Sequence, residues 1–154
     1  MIIAGIDAST TCTGVSYFKG NKLITYEKID LKKQKNAELR MKEMFLNIVA
    51  SLSKHRPDII YYEDNYQKMN PKTTKQLTLL MGSVWAYCIM NNIVCEPILP
   101  SEWRTVLNLN KPKANREEYK ARSIKYVKDN FGIDVGDDEA DAICIGVAAN
   151  LLET

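Results

Sequence analysis

The chain has 154 residues, 45% of them hydrophobic and 26% charged, with a formal net charge of +2; this suits one globular domain over residues 1–154 that needs no disulfide or structural metal to fold. No stretch approaches the roughly 18 uninterrupted apolar residues of a membrane span, and the opening Met-Ile-Ile-Ala-Gly-Ile-Asp lacks the basic region and cleavage site of a signal peptide, so the expected place is the cytoplasm. Cys12, Cys88, Cys95 and Cys144 form no C-x-x-C pair, which argues against a zinc site or a disulfide framework and fits reduced thiols.

Ile2 to Asp7 is a short apolar run ending in a carboxylate and predicts a buried strand. Ala8 to Thr13 is a small-residue turn, and Gly14 to Lys19 resumes as a strand. Gly20-Asn21 is a hairpin signal, because both residues tolerate positive φ, and Leu23 to Leu31 alternates as the returning strand. Ala37 to Leu52 carries Leu39, Met44, Phe45, Ile48, Val49 and Leu52 near helical spacing. His55, the only histidine, sits in a Lys-His-Arg-Pro context that reads as the solvated end of that helix, without a role.

Ile59 to Tyr62 predicts a strand leading into Glu63, followed by a basic loop. A helix follows from about Thr73 to Asn91, with Leu77, Leu80, Met81, Val84, Cys88 and Ile89 on its apolar side, and then a strand from Ile93 to Ile98. Pro100-Ser101-Glu102-Trp103 starts a short helix with Ser101 as its cap. Helices over Asn115 to Asn130 and Asp138 to Leu152 complete the chain. Hairpin strands first, then strands separated by helices, imply an α/β fold with a mixed sheet of about five strands flanked by helices. Neither G-x-G-x-x-G nor a P-loop lysine follows the opening strands, which argues against the common nucleotide-binding motifs.

Four carboxylates stand out. Asp7 and Glu63 each end an apolar strand, and ligands gather beyond strand ends. Asp138 and Asp141 are three apart at the start of a helix and therefore share a face, and the apolar run from Ala142 to Ala149 would hold that face against the sheet. Like charges in one crevice raise each other's pKa unless a cation neutralises them. All-oxygen ligands point to Mg²⁺, with Mn²⁺ as a substitute. Two such ions roughly 3.5–4 Å apart can clamp a phosphodiester, one activating water and the other stabilising the leaving oxygen. The bland alternatives are a helix cap for Asp137 or Asp138 and a turn acid or phosphate-binding loop for Asp7. Asp141 is harder to explain structurally, since an acid entering an apolar helix needs a partner.

The bases are unevenly spread. No acid lies between Asp64 and Glu96, where Lys68, Lys72 and Lys75 occur, and Lys111, Lys113, Arg116, Lys120, Arg122 and Lys125 face only Glu117 and Glu118. Basic flanks beside an acidic cluster suit a protein that holds a polyanion against a metal.

Gly5-Ile6-Asp7 with Thr13-Gly14, Glu63 with Tyr66 three residues later, Gly82 in the next helix, and Asp138-x-x-Asp141 together resemble the RuvC family of Holliday junction resolvases over nearly the whole chain. The resemblance implies an RNase H-like fold, a homodimer with two active sites, and Mg²⁺-dependent nicking of two strands of a four-way DNA junction. It casts Asp7, Glu63, Asp138 and Asp141 as metal-binding catalytic acids and Tyr66 as an aromatic that stacks at the opened junction, as base stacking allows. Lys68, Lys72, Arg104, Lys113 and Arg116 are the expected DNA contacts. Ala8-Ser9 replaces the family's usual Pro-Gly, and Leu107 to Pro112 replaces its glycine-rich loop; these departures resemble the phage-encoded branch and imply a host-cytoplasmic enzyme with broader activity on branched DNA and no assured branch-migration motor. The rivals are a branched-DNA-binding protein without catalysis, an RNase H-type nuclease acting on RNA–DNA hybrid, and a fragment of an actin-like or sugar-kinase fold.

Overall fold

The computed structural model describes residues 1–64 and 70–154. Strands β1 (Ile2–Asp7), β2 (Cys12–Lys19), β3 (Lys22–Asp30), β4 (Ile59–Glu63) and β5 (Val94–Ile98) form one sheet in the order β3-β2-β1-β4-β5. The first three strands pair antiparallel, whereas β4 joins β1, and β5 joins β4, in parallel. The helices are α1 (Ala37–His55), α2 (Pro71–Met90), α3 (Pro100–Val106), α4 (Arg116–Phe131) and α5 (Asp137–Glu153). This is the expected mixed sheet of five strands with helices on its faces.

Side-chain alternation divides the core into two layers. Ala4, Ile6, Val15, Tyr17 and Ile60 point to one face and pack with Met44, Ile48 and Leu52 of α1 and Leu77, Leu80 and Val84 of α2. Phe18 points to the other face, toward Ile143, Ile145 and Ala148 of α5 and Val127 of α4. Successive residues of a strand face opposite ways, so β1 and β2, covered on both sides, are buried nearly throughout, the polar Thr13 and Ser16 included.

Local chemistry sets the ends of these elements. Only Gly20 uses positive φ, at 55°, in the two-residue turn between Lys19 and Lys22, as a hairpin with glycine first requires. Asn36, Asn70 and Asn115 cap α1, α2 and α4 through their side chains, and Gly132, at φ 70°, ends α4. Strand β2 starts at Cys12 rather than Gly14 because Cys12 and Thr13 pair with Asp30 and Ile29 of β3. Helix α2 starts at Pro71, since Asn70 accepts from the Thr73 backbone N–H.

Three local expectations are corrected. Ser101 does not cap α3; the helix already starts at Pro100, and Glu102 instead accepts the Leu99 N–H at 2.7 Å. Neither Asp137 nor Asp138 caps α5, whose cap is Gly136. His55 is half-buried rather than fully solvated, because its ring stacks on Tyr17 at 4.3 Å. The apolar side of α2 is also narrower than the spacing implied: Ile89 is 68% exposed and lies with Leu79, Trp85 and Met90 outside the core.

Candidate active site

Asp7 and Glu63 become neighbours through the parallel pairing of β1 and β4. Ile6 is in register with Tyr62, so each acid is the next residue on its strand, where both strands end together. The second pair of acids arrives on α5, which lies directly on the sheet because glycines remove the side chains between them. A Cβ on Gly5 would sit 2.4 Å from the Gly146 backbone nitrogen, and one on Gly14 would sit 2.2 Å from the Asp138 carbonyl oxygen. Ser16 secures the helix by donating its hydroxyl to the Ala142 carbonyl at 2.7 Å.

The result is a cleft of about 360 Å³ lined by Asp7, Glu63, Asp138 and Asp141 together with Asp137, Arg104, Arg116, Tyr119 and Lys120. Three separate segments thus bring all four predicted acids to one place. Of the predicted bases, Arg104 and Arg116 line this cleft. Lys72 is exposed in the first turn of α2, and Lys113 is exposed before α4 at φ 60°; neither is part of the cleft wall. Tyr66 and Lys68 lie outside the described residues.

Electrostatics follow from the crowding of acids. Burial and the charges of Glu63, Asp141, Asp138 and Asp137 push the Asp7 carboxyl well above its ordinary range. Burial, with the Glu63 charge, raises Asp141 to about 7, although a Ser123 hydrogen bond and the Arg104 charge oppose the rise. Asp137 behaves oppositely: partial burial pushes it up, but its ion pair with Lys120 at 3.0 Å prevails and holds it low.

Several partners escaped the sequence reading. The Trp103 indole N–H donates to Glu63 Oε2 at 2.7 Å. The Cys12 thiol donates to Asp138 Oδ2 at 3.2 Å, and the Lys28 ammonium lies 3.7 Å from the same oxygen. Burial and this bond raise Cys12 to about 12, so it remains a thiol donor. The Arg104 guanidinium lies over the rings of Trp103 and Tyr119, 4.9 and 4.1 Å from their centres. No local pattern could pair Cys12 with a residue 126 positions away.

Among the described residues, no three His, Cys, Asp or Glu side chains form a ready-made metal cage. Hydrogen bonds already orient Glu63 and Asp138, and the unneutralised acids repel one another. The donor set nonetheless fits a hard divalent cation, since it is all carboxylate oxygen and the raised Asp7 and Asp141 mark charge that a cation would relieve.

No family model matches the chain. A crossover junction endodeoxyribonuclease RuvC from Caldicellulosiruptor saccharolyticus is 23% identical over 155 residues, spanning 96% of this chain and 90% of that protein. T. thermophilus RuvC in complex with Holliday junction substrate superposes with a TM-score of 0.79 at 17% identity, covering 99% of this chain and 96% of that one. Fowlpox virus resolvase, in complex with substrate Holliday junction DNA, gives a TM-score of 0.69 at 16% identity, with 99% of both chains covered. A mixed five-stranded sheet flanked by helices, matched along its whole length to these structures, makes the chain RuvC-like in fold.

Proposed function

We propose that residues 1–154 form a nuclease domain of the RuvC-like Holliday junction resolvases, which cuts four-way and other branched DNA by metal-dependent phosphodiester hydrolysis. One observation carries this reading: four carboxylates from β1, β4 and α5 meet in a single cleft that Arg104, Arg116 and Lys120 also line. In this reading Asp7, Glu63, Asp138 and Asp141 hold Mg²⁺, or Mn²⁺ in its place. The bound cation supplies water activation and charge neutralisation at the departing oxygen. Arg104, kept in place by two aromatic rings, and Arg116, exposed at the start of α4, bind backbone phosphates beside the acids. Lys72 and Lys113 extend the contact outside the cleft. Tyr66, as a stacking aromatic, and Lys68 enter the reading on sequence grounds alone.

Resolution of a four-way junction needs paired incisions, and the described residues of each chain form one such cleft, so the active species is a homodimer. The outward face of α2 suits a second copy, because Leu79, Trp85, Ile89 and Met90 are each more than half exposed there, an unusual apolar grouping for a free surface. Ala8-Ser9 and the segment from Leu107 to Pro112 favour the phage-encoded branch, hence a host-cytoplasmic enzyme with no assured branch-migration motor.

End-labelled four-way junction and matched linear duplex, incubated with protein in Mg²⁺ or EDTA, test the activity. Paired Mg²⁺-dependent nicks in the junction alone are expected. Tight junction binding without nicks in either Mg²⁺ or Mn²⁺ identifies a non-catalytic junction binder, and preferential cleavage of RNA–DNA hybrid identifies an RNase H-type enzyme.

Two further expectations arise from the same cleft. Arg116→Ala should weaken junction binding and lower the slope of log affinity against log salt by about one phosphate contact; an unchanged slope removes Arg116 from the interface. The metal-free protein should lose stability as pH rises. Asp141 titrates near 7 when folded, against about 3.9 unfolded, so between these values the folded state holds more protons and each increment of pH favours unfolding. Melting temperatures in EDTA at several pH values between 4 and 7.5 check this. The decline should flatten in Asp141→Asn, and an identical profile in that variant refutes the assignment.

A further inference from the structure

The indole of Trp103 is fully buried, yet its N–H is directed at the acidic cleft: Nε1 donates to Glu63 Oε2 at 2.7 Å. An indole is a donor only, and a buried one needs an acceptor. A backbone carbonyl would suffice, as Trp85 shows by donating to the Cys95 carbonyl at 3.0 Å. Trp103 binds instead a carboxylate whose surroundings include Asp7 and Asp141. The backbone sets up this contact. Glu63 is in register with Ile98, the Asp64 N–H donates to the Ile98 carbonyl at 2.9 Å, and α3 begins two residues later at Pro100. The first turn of α3 therefore lies over the end of β4, where Glu63 emerges.

We propose that Trp103 is a positioning residue for metal binding, holding the Glu63 carboxylate through Oε2 in the orientation in which it meets the cation. This rests on the reading of Glu63 as a metal ligand. A glutamate has three rotatable side-chain bonds, and the repulsion of neighbouring acids would turn it away from the cleft centre. A charge-assisted bond from a rigid, buried ring opposes that rotation. The next residue of the same helix turn, Arg104, stacks on the Trp103 ring, so α3 sets a ligand and a cation of the cleft together.

Trp103→Phe keeps an aromatic ring and removes the N–H. Calorimetric titration with Mn²⁺ should show binding weakened by about 10–100-fold, the usual consequence of losing such an outer hydrogen bond. Phenylalanine at this position should add no further loss in a Glu63→Gln background. Affinity within twofold of wild type overturns the proposal. The two tryptophans supply a second measurement that does not depend on the variant folding. In ¹⁵N-labelled wild-type protein, Mg²⁺ and Glu63→Gln should each shift the Trp103 indole resonance, with Trp85 as the internal control; a Trp103 signal indifferent to both overturns the proposal. The nuclease reading fails separately. Protein that binds Mn²⁺ in a Trp103-dependent way yet nicks no junction supports the positioning role and refutes the nuclease, whereas absence of Mn²⁺ binding in wild type refutes both.

Discussion

Asp7→Asn should abolish junction cleavage, by on the order of 10³-fold or more, which corresponds to at least about 4 kcal/mol of lost transition-state stabilisation. Asparagine has nearly the same shape, so the β1 ladder and its neighbours need not move. What disappears is one carboxyl group of the cleft wall, which Glu63, Asp138 and Asp141 also line. Junction binding should persist or tighten, because less negative charge then faces the phosphates. The metal-free variant should also melt at a higher temperature at neutral pH than the metal-free wild type, since burial and the surrounding acids penalise the Asp7 carboxylate when no cation is present. Single-turnover cleavage, gel-shift binding in EDTA and thermal melting measure these three effects. An unfolded Asp7→Asn protein would assign Asp7 a structural role and detach it from the chemistry.

The other large effect concerns a residue with no side chain. Gly5→Ala should destabilise the fold by about 3 kcal/mol or more, at the upper end of the cost of overpacking a core. The added methyl would stand 2.4 Å from the Gly146 nitrogen and 2.5 Å from the Ala142 carbonyl oxygen. Both obstacles are backbone, so no rotamer change relieves them, and α5 as a whole would have to lift from β1. That helix carries Asp138 and Asp141, so the surviving folded protein should also cleave poorly. Gly82→Ala is the control. A Cβ there meets nothing within 4 Å, and alanine is the better helix former by roughly 1 kcal/mol, so folding should be unharmed. Chemical denaturation of the two variants decides the matter; equal stability would mean that the α5 contact is looser than its geometry indicates.

The glycines also show where sequence reading stops. Gly5 and Gly14 lie beside Asp7 in any reading of the opening strands, and the small-residue pattern is plain. Their function, contact between sheet and helix backbones, depends on a helix more than a hundred residues later. Distance along the chain also hides Cys12 and Lys28, more than a hundred residues from Asp138, and Trp103, 40 residues from Glu63. Each binds a cleft acid across many residues of chain, and a thiol, a lysine and a tryptophan have more common roles in isolation.

By itself the sequence determined the alternation of apolar residues, the Gly20-Asn21 turn, and the placing of Asp7 and Glu63 at strand ends and of Asp138 and Asp141 early in a helix. These are local properties, set by the periods of strand and helix and by turn chemistry. From them followed the mixed sheet, its element order and the identity of the four carboxylates. The tertiary structure decided which of these groups meet. Parallel register placed Asp7 beside Glu63, and glycine contacts brought α5 down onto the sheet. The outward turn of Ile89 and the capture of Glu63 by Trp103 were likewise settled by packing. Such pairings depend on how helices seat on a sheet, a global balance of burial and close contact that no local stretch of chain encodes.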